Sequence, residues 1–137
     1  TVKEVSLNEI QGEADIISFH VPYNPETYYY FDDSFLNSVK KKFFLVNTSR
    51  GKVVDTKAVI DGLKSKKILG ACIDVLEFES SSFEKINPGF KRSLNFLRNQ
   101  ENVILSPHVA GWTVESYFKL SNVLADKILA QFSASKA

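Results

Sequence analysis

The sequence contains no methionine and a single cysteine. A freshly translated chain opens on methionine, so Thr1 is expected not to be the natural start. The lone Cys72 cannot close an internal disulfide. It lies in an apolar stretch, residues 69–75, and reads as a small core residue in a reducing, cytoplasmic compartment. A charge excess is also lacking. Seventeen Lys and Arg against sixteen Asp and Glu leave a net charge of +1, which removes the electrostatic case for nucleic acid or an anionic membrane as partner. The one basic run, Lys40-Lys41-Lys42, reads as a solvated helix end. No apolar stretch approaches the roughly 20 residues of a membrane-spanning helix, and the first residues carry no signal-peptide pattern. Nor does Gly-x-Gly-x-x-Gly, the turn that grips dinucleotide phosphates, occur anywhere in the chain.

What is present is core. Hydrophobic residues make up 44% of 137 positions, enough for one packed domain. Four β-branched or aromatic runs, residues 16–21, 43–48, 70–75 and 103–106, show little alternation. Such runs are expected of parallel strands covered on both faces. Helical patterns lie between them. Ser6 caps a short helix over residues 7–11, with Glu9 at capping-box spacing. Asp32 or Asp33 caps a helix containing Phe35, Leu36 and Val39. Asp55 or Thr56 caps another, whose stripe is Ala58, Val59, Ile60 and Leu63. A last helix starts near Thr113 and repeats apolar residues at helical spacing: Tyr117, Leu120, Val123, Leu124, Ile128 and Leu129. The long connection over residues 80–102 carries Phe83, Ile86, Phe90, Leu94, Phe96 and Leu97, so part of it is expected to be helical and packed. Strands alternating with helices predict an α/β domain built on a parallel sheet with flanking helices.

In open α/β sheets, ligands bind beyond the carboxyl ends of the strands. The four expected strands end in His20-Val21-Pro22, Asn47-Thr48-Ser49-Arg50-Gly51, Asp74-Val75-Leu76-Glu77-Phe78-Glu79 and Ser106-Pro107-His108-Val109-Ala110-Gly111. Taken singly, each has a plain structural reading. Arg50 can be a turn residue, Asp74 a helix cap, Glu79 a solvated carboxylate and His108 a structural histidine. Together they bring an arginine, carboxylates and a histidine to one edge. That is equipment for acid–base chemistry on a carboxylate-bearing substrate. His20 keeps its structural reading.

These four motifs, in this order and at this spacing, resemble the D-isomer-specific 2-hydroxyacid dehydrogenases. Pro25-Glu26-Thr27 and Val54-Asp55 add to the likeness, which covers nearly the whole chain. The resemblance implies a partial Rossmann-like fold without the N-terminal glycine-rich βαβ half. Residues 1–112 would form the C-terminal portion of the dinucleotide-binding domain, and residues 113–137 a helix returning toward a substrate domain. It implies NAD as cofactor, a small 2-hydroxyacid or 2-oxoacid as substrate, and a homodimer. Its catalytic trio maps onto Arg50, Glu79 and His108; Glu79 is preferred to Glu77 because the family carboxylate lies five positions beyond the strand-end aspartate. Its cofactor contacts map onto Val21, Pro22, Thr48, Ser49, Arg50, Asp74, His108, Ala110 and Gly111. No metal is implied.

The chemistry suits those roles. A guanidinium presents a planar fork to a carboxylate. An imidazole can protonate the adjacent keto oxygen during reduction and recover the proton during oxidation. Three departures blur specificity: Ser80 where the family often has proline, the long basic connection carrying Lys85, Lys91, Arg92 and Arg98, and Trp112 after Gly111. A phosphoglycerate-dehydrogenase-like enzyme is the first specific choice. The alternative is a non-catalytic, nucleotide-sensing binding protein on the same fold, of the corepressor kind, although no basic tail supports it. A phosphoacceptor receiver domain is excluded, because His20-Val21-Pro22 stands where an acidic pair would be needed.

Overall fold

The computed structural model describes residues 2–77 and 88–134. The elements alternate as the sequence predicts: α1 (Leu7–Glu13), β1 (Ile16–Phe19), α2 (Asp33–Ser38), β2 (Phe43–Asn47), a 3-10 turn (Gly51–Val53), α3 (Thr56–Lys64), β3 (Ile68–Ile73), α4 (Pro88–Arg98), β4 (Val103–Leu105) and α5 (Val114–Ala134). The strands stop one or two residues earlier than expected, because their last residues already turn away into the loops. Three caps act as predicted. Ser6 Oγ accepts from Glu9 N, Asp32 from Phe35 N at 2.8 Å and Asp55 from Lys57 N at 2.8 Å. Each such cap is worth about 1 kcal/mol.

All four strands are parallel, in the order β1-β2-β3-β4. Ile17, Leu45, Ala71 and Val103 stand in one row across the sheet, and Phe19, Asn47, Ile73 and Leu105 in another. Both rows face the core. There Phe31 and Phe35 meet Phe19 and Phe43, with the Phe31 ring centred 5.9 Å from Phe19, 5.3 Å from Phe35 and 6.2 Å from Phe43. Aromatic pairs at such distances contribute about 0.5–1.5 kcal/mol beyond area burial. From α3, Ala58, Val59 and Leu63 close the same core, and α4 adds Leu97. The expected helix inside residues 80–102 therefore exists and packs; Phe83 and Ile86 lie outside the described residues.

The opposite face corrects the expectation of coverage on both sides. Here the strands alternate, and Ile16, Phe44, Leu69 and Ile104 are exposed. Cys72 stands in the row with Ser18, Val46 and Ile104 and is exposed, not a core residue. The cause is register: Cys72 lies between core-facing Ala71 and Ile73 and so takes the other face whatever its apolarity. Leu69 is exposed at the register shift where Phe43 pairs with Ile68 and Phe44 with Gly70. Helix α5 repeats the pattern. Its predicted stripe is present, but Tyr117, Leu120, Val123, Leu124, Ile128 and Leu129 are all exposed. Among the described residues, no helix is long and apolar enough to cross a membrane.

A bare apolar sheet face and an uncovered apolar helix favour association. Produced alone, the 137-residue chain is expected to form oligomers or aggregates. Sedimentation velocity checks this, and a stable monomer at tens of micromolar (on the order of common assay concentrations) contradicts it.

Candidate active site

The turn that presents Arg50 is built by a buried amide. Asn47 ends β2 facing the core and is 1% exposed. Its Oδ1 accepts from Ser49 N at 3.1 Å and Ser49 Oγ at 2.8 Å, and its Nδ2 donates to the Arg50 carbonyl at 3.2 Å. A side chain that meets backbone demand in this way fixes the turn. Gly51 follows because nothing larger fits: a Cβ there would overlap the Leu76 carbonyl. Arg50 is thus held at both neighbours while its own side chain is exposed, with Nη1 donating to the Ser49 carbonyl at 2.6 Å.

Beside it lies a cavity of about 740 Å³ at the carboxyl edge of β1 and β2. Val21, Pro22, Thr48, Ser49 and Arg50 line it, five of the residues expected to meet the cofactor. His20, Tyr23 and Lys52 line it too. The sequence had left His20 structural. Its neighbour Phe19 points into the core, so alternation turns His20 outward, where Nε2 shares a hydrogen bond of 2.7 Å with Ser18 Oγ. That alternation was the available signal. Nothing in the sequence pattern marked Tyr23 or Lys52.

A second cluster joins β3 to the loop after β4. Asp74 is buried, and its carboxylate accepts from Val109 N and Ala110 N, each at 2.9 Å, and from Ser106 Oγ. Its carbonyl accepts from His108 N at 2.9 Å. Burial alone would push the Asp74 carboxyl up. The donors Ser106 Oγ, Ala110 N and Val109 N, with the field of His108, outweigh burial and hold it below the usual carboxylate range. The bonds also hold His108 at a φ of 57°, a left-handed conformation that costs a non-glycine residue about 1–3 kcal/mol. His108 itself is exposed at the loop surface.

The expected site residues therefore fall into two groups. Five share the cavity. Asp74, His108 and Ala110 share the second cluster, with Gly111 next in the chain, and none of these four lines the cavity. Glu79 lies outside the described residues. Glu77, the sequence's second choice, is buried with its carboxylate on Tyr29 and Thr56.

The sequence and the fold are both similar to those of known proteins. The family described as D-isomer specific 2-hydroxyacid dehydrogenase, NAD binding domain, matches residues 1–110. This chain belongs to that family. It is 36% identical over 124 residues to a glyoxylate reductase of Thermofilum pendens, covering 90% of this chain and 34% of that protein. It is 37% identical over 114 residues to an aromatic 2-oxoacid reductase of Clostridium sporogenes, covering 81% and 34%. The crystal structure of D-lactate dehydrogenase from Aquifex aeolicus complexed with NAD and lactic acid superposes with a TM-score of 0.75 at 30% identity, covering 95% of this chain and 40% of that one. The chain thus spans about a third of the length of the curated relatives it matches. In this dehydrogenase family member the loop after β4 depends on the Asp74 charge. A depressed carboxyl stabilises the fold above its unfolded value, about pH 3.9, and that contribution is lost as pH falls through the lower folded value. Asp74→Asn is expected to cost about 1.5–3 kcal/mol near neutral pH, the worth of hydrogen bonds to a charged acceptor. Urea unfolding at a series of pH values checks this: the gap from wild type must narrow below about pH 3.9.

Proposed function

We propose that the protein containing this chain is an NAD-dependent dehydrogenase that interconverts a D-2-hydroxyacid and its 2-oxoacid. The observation that carries this reading is Arg50: an exposed guanidinium on a turn pinned by buried Asn47 and by Gly51, opening on the cavity beyond β1 and β2. The reading is supported by the family and by relatives that reduce 2-oxoacids. The cavity suits the nicotinamide and ribose end of the cofactor, offering the apolar wall Val21-Pro22 and the polar wall Thr48-Ser49. The phosphates need the glycine turn that this sequence lacks. When bound, the reduced cofactor supplies a hydride to the carbonyl carbon.

The remaining work falls to this chain. Arg50 receives the substrate carboxylate in its fork and draws electron density from the neighbouring keto oxygen. His108 delivers a proton to that oxygen, and in the reverse direction removes it from the hydroxyl. Glu79 favours the protonated imidazole. Asp74 keeps the His108 loop in place. For the finer assignments, we place the protein in the cytoplasm as a homodimer, a reading supported by the low cysteine content of the sequence and by the uncovered stripe of α5. We assign residues 113–137 to a segment returning toward the substrate domain. The substrate is a small 2-oxoacid, to be chosen among glyoxylate, pyruvate, phenylpyruvate and 3-phosphohydroxypyruvate by steady-state rates.

Arg50→Lys in the complete enzyme keeps the charge and loses the fork. It is expected to raise the KM for the 2-oxoacid and lower kcat, together costing about ten- to a thousandfold in kcat/KM, while the KM for NADH stays nearly constant. An unchanged KM for the 2-oxoacid removes Arg50 as the anchor. Glu79→Gln removes charge and keeps shape. The pH–rate profiles of reduction and oxidation are both expected to move toward lower pH, since reduction needs the protonated imidazole and oxidation the neutral one. Two unmoved profiles would remove Glu79 from the trio.

A further inference from the structure

Glu77 is a buried carboxylate that the mechanism above does not use. Its two oxygens reach separate segments of the chain. One accepts from the Tyr29 hydroxyl, in the loop after β1; the other accepts from Thr56 N, the first residue of α3, at 3.2 Å. Its own backbone, with that of Leu76, lies against Gly51, so closely that no Cβ could be added there. The Tyr29 segment in turn clasps the chain just after Arg50. Tyr29 N donates to the Lys52 carbonyl at 2.9 Å, Phe31 N to the Val53 carbonyl at 3.0 Å, and Asp55 N to the Phe31 carbonyl at 2.9 Å. These contacts form a closed ring: Gly51 to Lys52, Lys52 to Tyr29, Tyr29 to Glu77, and Glu77 back to Gly51.

We propose that Glu77 and Tyr29 form a strut that positions Arg50, with Glu77 acting as a positioning residue and not as the acid–base partner of His108. This rests on the reading of Arg50 as the carboxylate anchor. Two further observations fit. Tyr29 has a φ of 48°, a conformation that bulky residues avoid unless their surroundings impose it. Its hydroxyl is made much less acidic, first by burial and then by the bond to Glu77, so it remains the donor throughout the working pH range. The Glu77 carboxylate has a donor at each of its two oxygens.

The test is made in the complete enzyme with Tyr29→Phe, Glu77→Gln and the double variant. Each single change is expected to raise the KM for the 2-oxoacid about three- to tenfold, with the KM for NADH moving less than about twofold. The double variant should be little worse than the worse single one, because both changes break one contact. Glu77→Gln should leave both pH–rate profiles in place, unlike Glu79→Gln. An unchanged KM, strictly multiplicative effects, or a moved profile in Glu77→Gln overturns the strut. Amide hydrogen exchange at Tyr29 and Thr56, whose N–H groups bond the Lys52 carbonyl and the Glu77 carboxylate, gives a readout independent of turnover. Faster exchange in Tyr29→Phe supports the strut and unchanged exchange overturns it, including in a protein that reduces no 2-oxoacid, where only the functional reading fails. If Glu77→Gln does not fold, Tyr29→Phe, which removes one oxygen atom, carries the same comparison.

Discussion

The row of Phe19, Asn47, Ile73 and Leu105 crosses all four strands, and the candidate site depends on its alignment. Parallel pairing in this register brings every strand's carboxyl end to one edge. The residues that follow, His20 after Phe19, Thr48 to Gly51 after Asn47, Asp74 after Ile73, and Ser106 to His108 after Leu105, therefore lie along one edge without long loops. The lateral link continues past the strands: Asp74 N donates to the Asn47 carbonyl at 3.0 Å and Ser106 N to the Ile73 carbonyl at 3.1 Å. Slipping one strand by a single residue would turn Asn47 to the bare face and dismantle the Arg50 turn.

Three buried polar side chains then shape that edge: Asn47, Asp74 and Glu77. Each spends its hydrogen bonds on backbone of a neighbouring loop, or on a hydroxyl beside it, and among the described residues no buried side-chain polar atom lacks a partner. Satisfied polar groups of this kind specify loop conformation, where apolar packing specifies only proximity. They hold two costly conformations, at Tyr29 and His108, next to the residues assigned to substrate binding and proton transfer. The exposed groups Arg50 and His108 stand on this buried framework, so the chemistry sits on side chains free to meet a ligand while their backbones are tied down.

Much of this was legible in the sequence. The order of elements, the caps at Ser6, Asp32 and Asp55, and the strand-end motifs depend on neighbours a few residues apart, and local chemistry decides them. Family membership followed from the same motifs at their spacing. Tertiary structure decided what local chemistry leaves open. An apolar residue declares a preference for burial but not whether a partner is there to bury it, so Cys72, Ile104 and the stripe of α5 read as core and stand exposed. A carboxylate declares its charge but not its direction. Glu77, a candidate for catalysis by sequence, borders the cavity with both oxygens already engaged, because Tyr29 and Thr56, far from it in the chain, converge on them. Which residues can do chemistry was written locally; which of them face a ligand depended on contacts between distant segments, formed only when the sheet brings them together.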